Sequence, residues 1–339
     1  MLIIGHDEVR DILAHREKEV LEAVRAAYAL HDEGRTALPH SVFLRFPEQP
    51  SDRIIGLPAF LDGDGEGDGE DAAVAGFKWV SSFPGNLAAG LPRASAAIVL
   101  NSLATGRPEA LIEGSLISAT RTGASAALAA SVLLENGEAE SVGLIGLGPI
   151  NLQVLKYLSV AVPSLRSAVL YDLSPERAAA FAERAAEVAP GLSVTVADSA
   201  AEALAGRPLV SIATTAAKPH MDLRLCDPGT VVLHVSLRDI VPEAIVAHHN
   251  VVDDTDHVCR EQTSLHLTEQ LVGDRAFVDA EIGALVRGAA EFRRDPEKVI
   301  VFSPFGLGVL DLALARLVRS TAVRERRGLT AEGFLPTAE

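Results

Sequence analysis

An apolar segment in the middle of the chain ends in a glycine-rich turn, Gly146-Leu147-Gly148-Pro149-Ile150-Asn151. A second apolar segment, Ser167–Tyr171, follows and is succeeded directly by Asp172. The order of strand, glycine turn, helix, strand and terminal acid is the one that a dinucleotide-binding βαβ unit requires. The turn therefore predicts a parallel α/β sheet here and leaves residues 1–141 for another task, which we expect to be substrate binding.

The residues of the turn have different tasks. Gly146 permits a tight turn, and Gly148 lets the backbone approach a pyrophosphate. Pro149 suits the first helical position, because its missing N–H is not needed there. The next backbone N–H groups, of Ile150 and Asn151, point with the positive end of the helix dipole at the phosphate. Asn151 stands where the fingerprint has its third glycine, so the motif is incomplete.

The acid that ends the second strand bears on the choice of cofactor. Asp172 would accept hydrogen bonds from the adenosine ribose hydroxyls and repel a 2′-phosphate, which predicts NAD rather than NADP. An ordinary loop acid is the alternative interpretation. Arg177 could reach a phosphate, but we interpret it as a solvated residue in the first turn of the next helix. Thr214 and Ser236, at the ends of later strands, are further candidate cofactor contacts.

Repeated strand and helix patterns follow the glycine turn and are typical of an α/β fold. We predict a Rossmann-type doubly wound parallel sheet together with a second α/β domain. The 339 residues are enough for two domains with separate cores. The candidate strands of the sheet are residues 141–146, 167–172, 193–198, 209–215, 230–236 and 250–255.

Charge and composition exclude several classes of partner. The formal net charge of −16 argues against nucleic acid and anionic membranes, so an anionic ligand needs a local cluster of cations. Cys226 and Cys259 have no metal-ligand spacing and fit a reducing cytoplasm without disulfides. No basic and apolar leader opens the chain, and no apolar run reaches the roughly 20 residues of a membrane span. We therefore expect a soluble cytoplasmic protein without a metal site.

Acidic residues and glycines alternate in segment 62–71, which superficially resembles a calcium-binding loop. Counting an EF-hand loop from Asp62 puts Ala73 at its twelfth position, and counting from Asp64 puts Ala75 there. Neither supplies the bidentate Glu that this position requires. We predict a solvated loop at the tip of a hairpin.

Basic residues recur upstream of the turn among apolar or small neighbours, where such side chains are rarely buried without a partner. These residues are Arg45, Lys78, Arg93 and Arg121. Each alone could be a salt-bridged or partly solvated residue. Together, in an acidic protein, they predict a pocket for a ligand with several carboxylates.

Asp239 follows a candidate strand, at the edge where ligands bind in doubly wound sheets. Its alternative role is the N-cap of a helix predicted at 241–248. His234 lies inside the strand pattern, so we predict that it packs in the core.

These residues together resemble the ornithine cyclodeaminase/μ-crystallin family, from about residue 2 to about residue 320. The resemblance rests on Arg45, Gly76-Phe77-Lys78, Arg121-Thr122-Gly123, Gly146-x-Gly148 and Asp239. Longer strings are similar to one subgroup, the N-(2-amino-2-carboxyethyl)-L-glutamate dehydrogenases of 2,3-diaminopropionate biosynthesis, which serve siderophore and peptide-antibiotic pathways. These strings are Lys78–Asn86, Glu113–Ser118, Ser236–Asp239 and Phe302–Gly308.

The resemblance implies a homodimer and a division into domains. Residues 1–122 and the returning segment 304–339 would bind substrate and dimerise, and residues 123–303 would bind NAD. The implied reaction is the NAD-dependent cleavage of a tricarboxylate amino acid to 2,3-diaminopropionate and 2-oxoglutarate.

The implied substrate suggests roles for the candidate residues. Arg45 and Arg121 would clamp carboxylates, and Arg93 would take the additional one. Lys78 would stabilise negative charge or transfer a proton, and Asp239 would act as the base. Gly306 lies in the segment expected to border the nicotinamide.

Other functions remain open. Ornithine cyclodeaminases carry an Asp-Cys-Pro-Gly-Lys-Thr-Glu-type segment around their catalytic acid, whereas this chain has Asp239-Ile240-Val241-Pro242-Glu243. This difference disfavours ornithine cyclisation. The alternatives are an ornithine cyclodeaminase, another amino-acid or imine dehydrogenase, and a μ-crystallin-like ligand-binding protein without turnover.

Overall fold

The computed structural model of the chain describes residues 1–63 and 72–336. Most of the acidic segment predicted as a solvated loop, residues 64–71, lies outside the described residues, as do residues 337–339.

Strands and helices are distributed along the whole described chain. The strands are β1 (Leu2–Ile4), β2 (Thr36–Ala37), β3 (Val42–Phe46), β4 (Gln49–Leu61), β5 (Val74–Ser82), β6 (Ala94–Asn101), β7 (Pro108–Glu113), β8 (Ser141–Ile145), β9 (Ser167–Tyr171), β10 (Ser193–Val196), β11 (Leu209–Ile212), β12 (Val231–His234), β13 (His249–Val252), β14 (Ala280–Glu281), β15 (Ile300–Ser303) and β16 (Leu329–Thr330). The α-helices are α1 (His6–Leu13), α2 (Glu17–Asp32), α3 (Ser115–Leu133), α4 (Pro149–Ala161), α5 (Pro175–Val188), α6 (Ala200–Leu204), α7 (Pro242–Ala247), α8 (Thr255–Val258), α9 (Ser264–Val272), α10 (Ile282–Arg287) and α11 (Gly308–Glu325).

The chain forms two compact units, one of Met1–Arg121 with Leu307–Glu339 and one of Thr122–Gly306. The assignment of substrate binding and dimerisation to the first of these units stays a prediction.

A parallel sheet organises the Thr122–Gly306 unit, with the order β10-β9-β8-β11-β12-β15-β13-β14. Its strands read as short apolar runs because helices cover both faces of a doubly wound sheet. The chain leaves β8 towards β9 on one side and later returns to β11 on the other. This reversal of strand order is the point at which such sheets bind ligands. The predicted Rossmann-type fold is confirmed, with β15 inserted between β12 and β13.

The other unit contains a mostly antiparallel sheet with the order β16-β1-β7-β6-β5-β4-β2, and β3 pairs with β4. One face is buried, and its residues form a cross-strand row of Leu57, Lys78, Ile98 and Ile112. Helix α11 packs on this face against β4, β5 and β6. Apart from Asp311, its first two turns are apolar on every side, as expected for a helix buried in a core. Lys78 therefore lies in an aliphatic row beneath a buried helix.

The C-terminal segment contains a paired strand, although its charged residues would suggest an unstructured arm. The charged residues after Arg324 are typical of a loose arm, yet Leu329–Thr330 pairs antiparallel with β1. The strand β1 itself is only three residues long and carries no alternating pattern that would reveal its pairing.

Helix α3 is relevant to the expectation that no segment could span a membrane. Among the described residues it is the one helix long and apolar enough to do so, with 19 residues and a mean hydropathy of 1.2. However, 67% of it is buried inside the protein, as is usual for a core helix.

Candidate active site

A cavity of about 620 Å³ opens beside the glycine turn, at the carboxyl ends of β8, β9 and β11. Gly146, Gly148, Asp172, Arg177 and Thr214 contribute to its lining. Pro149, Ile150, Asn151, Ser236 and Gly306, which we also predicted as cofactor contacts, are not part of this lining.

The two glycines of the turn are required for different physical reasons. Gly146 has φ 82°, and a Cβ there would lie 2.6 Å from the carbonyl oxygen of Ala213. Gly148 precedes α4, and a Cβ there would meet nothing within 4 Å. Packing within the protein therefore does not explain Gly148. A glycine here would let a ligand approach the protein backbone closely at the helix N-terminus. The residues present fit a dinucleotide.

The side chain of Asn151 stabilises the glycine turn from the protein interior. It is fully buried, and its amide donates to the carbonyl oxygens of Ile145 and Gly146 at 3.0 and 2.8 Å. Its Oδ1 accepts a 2.7 Å hydrogen bond from the hydroxyl of Ser211. The amide thus stabilises the turn where other fingerprints have a glycine, and Asn151 as a whole has no exposed surface.

Asp172 is oriented by the turn that it faces. One carboxylate oxygen accepts from the Leu147 N–H at 2.8 Å, and the other accepts from the Ser174 N–H at 3.0 Å. Arg177 lies 3.4 Å from this carboxylate, although its side chain is 54% exposed. The guanidinium is therefore not simply solvated. It lies beside the carboxylate and lines the same cavity.

Asp239 lies in the loop after β12 and is fully buried. Its carboxylate accepts one hydrogen bond from the Thr214 hydroxyl and another from the Ser236 hydroxyl. The alternative role as a helix cap is wrong, because α7 begins after Val241 and has no side-chain cap. Leu237, between Ser236 and Asp239 in the chain, has φ 67°, a strained conformation that often occurs at functional sites.

His234 supports this loop from the core. The backbone N–H of Asp239 donates to His234 Nε2 at 3.2 Å, which leaves Nδ1 to donate to the Ser303 hydroxyl at 3.1 Å. Burial lowers the pKa of His234 despite the nearby Asp239 carboxylate, so the ring is neutral. The fully buried position agrees with the predicted core role, and the hydrogen bond adds a role in orienting the Asp239 backbone.

The surroundings of Asp239 determine its protonation. Burial alone would raise the pKa of this carboxyl group, but the hydrogen bonds from the hydroxyls of Ser236 and Thr214 hold it below its ordinary value. Asp239 is therefore ionised at neutral pH. It is suited to stabilising a nearby positive charge or orienting water, and it is a weak base.

Gly306 is held by a buried carboxylate. Asp253 accepts hydrogen bonds from the N–H groups of Gly306 at 2.7 Å and Phe305 at 2.8 Å. Burial raises the pKa of Asp253 to about 6 in spite of these donors. Since its N–H is already engaged, Gly306 can contact a cofactor only through its Cα or carbonyl group.

In the other unit, two of the predicted cations converge on an acid that sequence analysis missed. Lys78 Nζ lies 2.6 Å from one oxygen of Asp311, and Arg121 Nε donates to the other oxygen at 3.2 Å. Ser118, three residues before Arg121 and on the same face of α3, accepts a 3.0 Å hydrogen bond from Lys78. Asp311 is fully buried, and Lys78 and Arg121 are 2% and 8% exposed.

The start of α3 is fixed by a carboxylate. Glu113, the last residue of β7, accepts hydrogen bonds from the N–H groups of Ser115 at 2.7 Å and Leu116 at 3.2 Å. This carboxylate satisfies N–H groups that have no partner within the helix. The cap fixes the beginning of the helix that carries Ser118 and Arg121.

The charge state of Lys78 follows from its surroundings. Burial lowers its pKa from 10.5 to about 8, with Asp311 opposing the shift and Arg121 adding to it. A lysine with such a pKa exists in both protonation states near neutral pH and can accept or donate a proton.

The remaining predicted cations lie farther along the same sheet. Arg45 and Ser82 both stand directly opposite Arg53, so the three share one face of β3, β4 and β5. Arg93 donates to the Ser82 hydroxyl at 2.7 Å and, among the described residues, has no carboxylate partner. Lys78 points to the same face, because side chains alternate along β5. Arg45 is exposed, with its guanidinium 5.3 Å from the ring centre of Phe43.

Sequence analysis overlooked two residues of this unit. Asp311 stands between apolar residues in the first turn of α11, and a lone acid in an apolar helix signals a buried charge with a partner. Arg53 follows Ser51-Asp52, where nothing in the sequence distinguishes it from an ordinary surface cation. Only the strand register reveals its position opposite Arg45.

The chain is similar to known proteins over its whole length. Residues 7–326 match the sequence model of the Ornithine cyclodeaminase/mu-crystallin family. N-((2S)-2-amino-2-carboxyethyl)-L-glutamate dehydrogenase of Staphylococcus aureus (strain NCTC 8325 / PS 47) is 27% identical over 339 aligned residues, which cover 97% of this chain and 98% of that protein.

Solved structures agree with this similarity. Thermococcus litoralis Δ1-pyrroline-2-carboxylate reductase, in complex with NADH and L-proline, has a TM-score of 0.88 at 26% identity and covers 98% of this chain and 100% of that chain. An archaeal alanine dehydrogenase, solved as a dimer with bound NAD, has a TM-score of 0.86 at 26% identity and covers 98% of this chain and 99% of that chain.

Proposed function

Since the chain belongs to the Ornithine cyclodeaminase/mu-crystallin family, we propose that it is an NAD-dependent oxidoreductase that acts on a CH–NH bond. Its proposed substrate is N-(2-amino-2-carboxyethyl)-L-glutamate, which it cleaves to L-2,3-diaminopropionate and 2-oxoglutarate. Full-length similarity to an enzyme of this name supports the reaction. The observation that carries the choice of substrate is Arg93, a partly buried cation without a carboxylate partner among the described residues.

Arg93 distinguishes a tricarboxylate from a simpler amino acid. Burial lowers the pKa of its guanidinium, and Ser82 is a neutral partner. A partly buried guanidinium is best stabilised by a carboxylate that accepts two parallel N–H hydrogen bonds from it. Arg121 suffices for the α-carboxylate that any amino acid brings. We assign the additional carboxylates of the larger substrate to Arg93 and Arg45, together with Arg53.

NAD is the cofactor, and when bound it supplies an acceptor for the hydride that leaves the glutamyl α-carbon. Gly146, Gly148 and the N–H groups that begin α4 hold its pyrophosphate. Asp172 accepts hydrogen bonds from its adenosine ribose, which favours NAD over NADP.

The reaction consumes one water molecule. The substrate loses a hydride from its α-carbon and a proton from its nitrogen, so that a C=N bond forms. Water then adds to the imine carbon, and the carbinolamine breaks its C–N bond to release 2-oxoglutarate and the free amine of 2,3-diaminopropionate. Lys78 takes the proton from the amine, because its pKa of about 8 lies near the working pH.

In this proposal Asp239 acts through its negative charge and does not accept a proton. Its ionised carboxylate, fixed by Thr214 and Ser236, stabilises the positive charge that develops on the substrate nitrogen and orients the attacking water. Our expectation from sequence gave Asp239 the role of the base. The low pKa of its carboxyl group favours Lys78 for that role.

A second copy of the chain completes the assembly in this proposal. The sheet face opposite α11 exposes Val42, Leu44 and Trp79, with 63%, 45% and 42% of each residue accessible. Val42 and Trp79 lie in one cross-strand row, on either side of Gly56. Exposed large apolar side chains grouped in this way mark a protein interface, and the archaeal alanine dehydrogenase was solved as a dimer. We infer a homodimer formed through this face.

The cellular setting is part of the same proposal. The product would feed siderophore or peptide natural-product biosynthesis in the cytoplasm, where NAD is available. Cys226 and Cys259 are both free and buried, which is compatible with a reducing compartment.

Turnover of the synthetic substrate with NAD tests the proposal. NADH absorbance and 2-oxoglutarate should rise together, in a ratio of about one, and the Lys78→Met variant is the matched control. Alanine, ornithine and proline are tested in parallel. Turnover of one of these in place of the adduct would identify another dehydrogenase or a cyclodeaminase. Cofactor binding without turnover of any of them would indicate a ligand-binding protein.

A further inference from the structure

We propose that Asp311 is a positioning residue that holds Lys78 and Arg121 in their reactive arrangement and governs the proton exchange of Lys78. The inference rests on the proposed function, in which Lys78 accepts a proton and Arg121 binds a carboxylate. Asp311 contacts both cations through different oxygens, at 2.6 Å to Lys78 and 3.2 Å to Arg121. One carboxylate therefore fixes the distance between an ammonium and a guanidinium that stand on different elements.

The position of Asp311 on its helix suits a negatively charged side chain. It lies in the first turn of α11, where the positive end of the helix dipole stabilises an anion. The residues around it in this turn, Val309, Leu310 and Leu312, are fully buried and apolar. An acid in this setting is expensive to bury, and apolar residues of similar size would pack as stably as the ionic cluster. Stability alone therefore does not account for the cluster.

The cluster carries an excess of positive charge. Two cations, from β5 and α3, share one anion, from α11, and the fourth polar partner, Ser118, is neutral. The neighbours of Lys78 across the sheet, Leu57 and Ile98, are apolar. This excess is relieved either when Lys78 loses its proton or when a ligand brings a carboxylate.

Substrate binding and proton transfer are coupled through this charge balance. A carboxylate that arrives at Arg121 cancels the excess charge and raises the pKa of Lys78, so the bound substrate makes Lys78 a better proton acceptor. Without Asp311 the two cations would repel each other directly. Lys78 would then bind its proton more weakly and lose it at a lower pH.

Direct titration of Lys78 tests this role without any substrate. The ¹⁵N resonance of Lys78 Nζ is assigned by its absence from the Lys78→Met variant of the full-length protein. In Asp311→Asn its pKa should fall by about one unit or more, because the opposing carboxylate is gone. Asp311→Glu, which keeps the charge, should restore most of the shift. Glu22→Gln, an exposed acid on α2, is the matched control and should leave the titration unchanged.

Kinetics test the same role in turnover. In Asp311→Asn the oxidative kcat should fall by about 10- to 100-fold, and the rise of kcat with pH should move to lower pH. Asp311→Glu should restore the pH at which kcat rises while kcat itself stays reduced, because its longer side chain displaces the two cations. NAD affinity should change less than about twofold in both variants, since a charge effect on Lys78 does not involve the cofactor.

The outcomes separate this inference from the proposed function. An unchanged Nζ titration in Asp311→Asn overturns the inference, whatever the substrate. A shifted titration in a protein that does not turn over the adduct supports the inference and removes the proposed substrate. If Asp311→Asn does not fold, Asp311→Glu decides: a native titration with reduced kcat supports positioning, and native kcat refutes it.

Discussion

Lys78 Nζ lies 2.6 Å from a carboxylate oxygen of Asp311, although 233 residues separate them in the chain. The strand β5 places the lysine in a row of aliphatic residues, and the helix α11, which packs on this face of the sheet, carries the acid that contacts it. An ammonium in such a place is poorly solvated, and it donates to Asp311 and Ser118. Burial lowers the pKa of Lys78 to about 8, and Asp311 keeps it from falling further.

The first prediction concerns pH. Lys78 must be neutral to accept a proton from the substrate, and its neutral fraction grows as pH rises through about 8. The oxidative kcat/KM, which reports the free enzyme, should therefore increase through this pH and level off above it, whereas kcat/KM of the reductive reaction, which needs protonated Lys78, should decline over the same range. Initial rates measured in both directions from pH 6 to pH 10, over a series of substrate concentrations, check this. A pH-independent oxidative rate would contradict it.

The second prediction concerns Arg93. Arg93→Gln removes the cation assigned to an additional carboxylate, so KM for the glutamyl adduct should rise by about 10- to 100-fold, the effect of losing ~1.5–3 kcal/mol of a charged hydrogen bond. Any slow turnover of alanine should be unaffected, because alanine has no additional carboxylate. Arg107→Gln is the matched control, as an exposed arginine whose guanidinium donates to the carbonyl oxygen of Pro336. Equal losses for both substrates would show that Arg93 supports the fold rather than specificity.

The third prediction concerns Asp239. Asp239→Asn keeps the shape of the side chain and the hydroxyl partners Thr214 and Ser236 but removes the negative charge. We expect kcat to fall by ~10²–10⁴-fold with little change in NAD affinity, because the lost charge stabilises only the developing cation. Stopped-flow measurement of NADH formation distinguishes slow chemistry from slow release. A rise in KM with normal kcat would assign Asp239 to substrate binding instead.

Features formed by residues that are close together in the sequence could be predicted from the sequence. The glycine turn was recognisable because its residues are contiguous, although the Ala213 carbonyl that crowds Gly146 belongs to the segment after β11. The doubly wound sheet followed from the repeated apolar segments, and the solved relatives agree with it. Asn151 could be recognised as a departure from the motif, but its bond to Ser211 depends on the pairing of β8 with β11.

Features that depend on distant pairing were not predictable. Asp311 becomes the partner of Lys78 only because α11 packs on β5, which no local pattern reveals. Arg53 lies opposite Arg45 because of the register between β3 and β4. The pairing of Leu329–Thr330 with β1 likewise joins the two ends of the chain, where short strands carry too few residues to show a period.

The fourth prediction concerns the cofactor. Asp172→Ser should weaken NAD binding by about 10-fold or more, because the ribose hydroxyls lose a charged acceptor. NADP should lose less, or gain, because its 2′-phosphate no longer meets a carboxylate and Arg177 remains 54% exposed beside the site. Calorimetric titration with both nucleotides measures the ratio, and Asp198→Ser serves as a control on the same unit. Equal losses for NAD and NADP would mean that Asp172 only stabilises the glycine turn through Leu147 and Ser174.

The fifth prediction concerns the exposed sheet face. Trp79→Asp places a charge at the centre of the apolar row, where a partner copy would bury it without a counter-ion, so the dimer should dissociate. Because Trp79 is 42% exposed in the single chain, the fold itself should tolerate the change better than the interface does. Sedimentation or light scattering reports the mass, and Leu271→Asp, at a residue 58% exposed in the Thr122–Gly306 unit, is the matched control. A dimer that survives Trp79→Asp at micromolar concentration would mean that another surface joins the two copies.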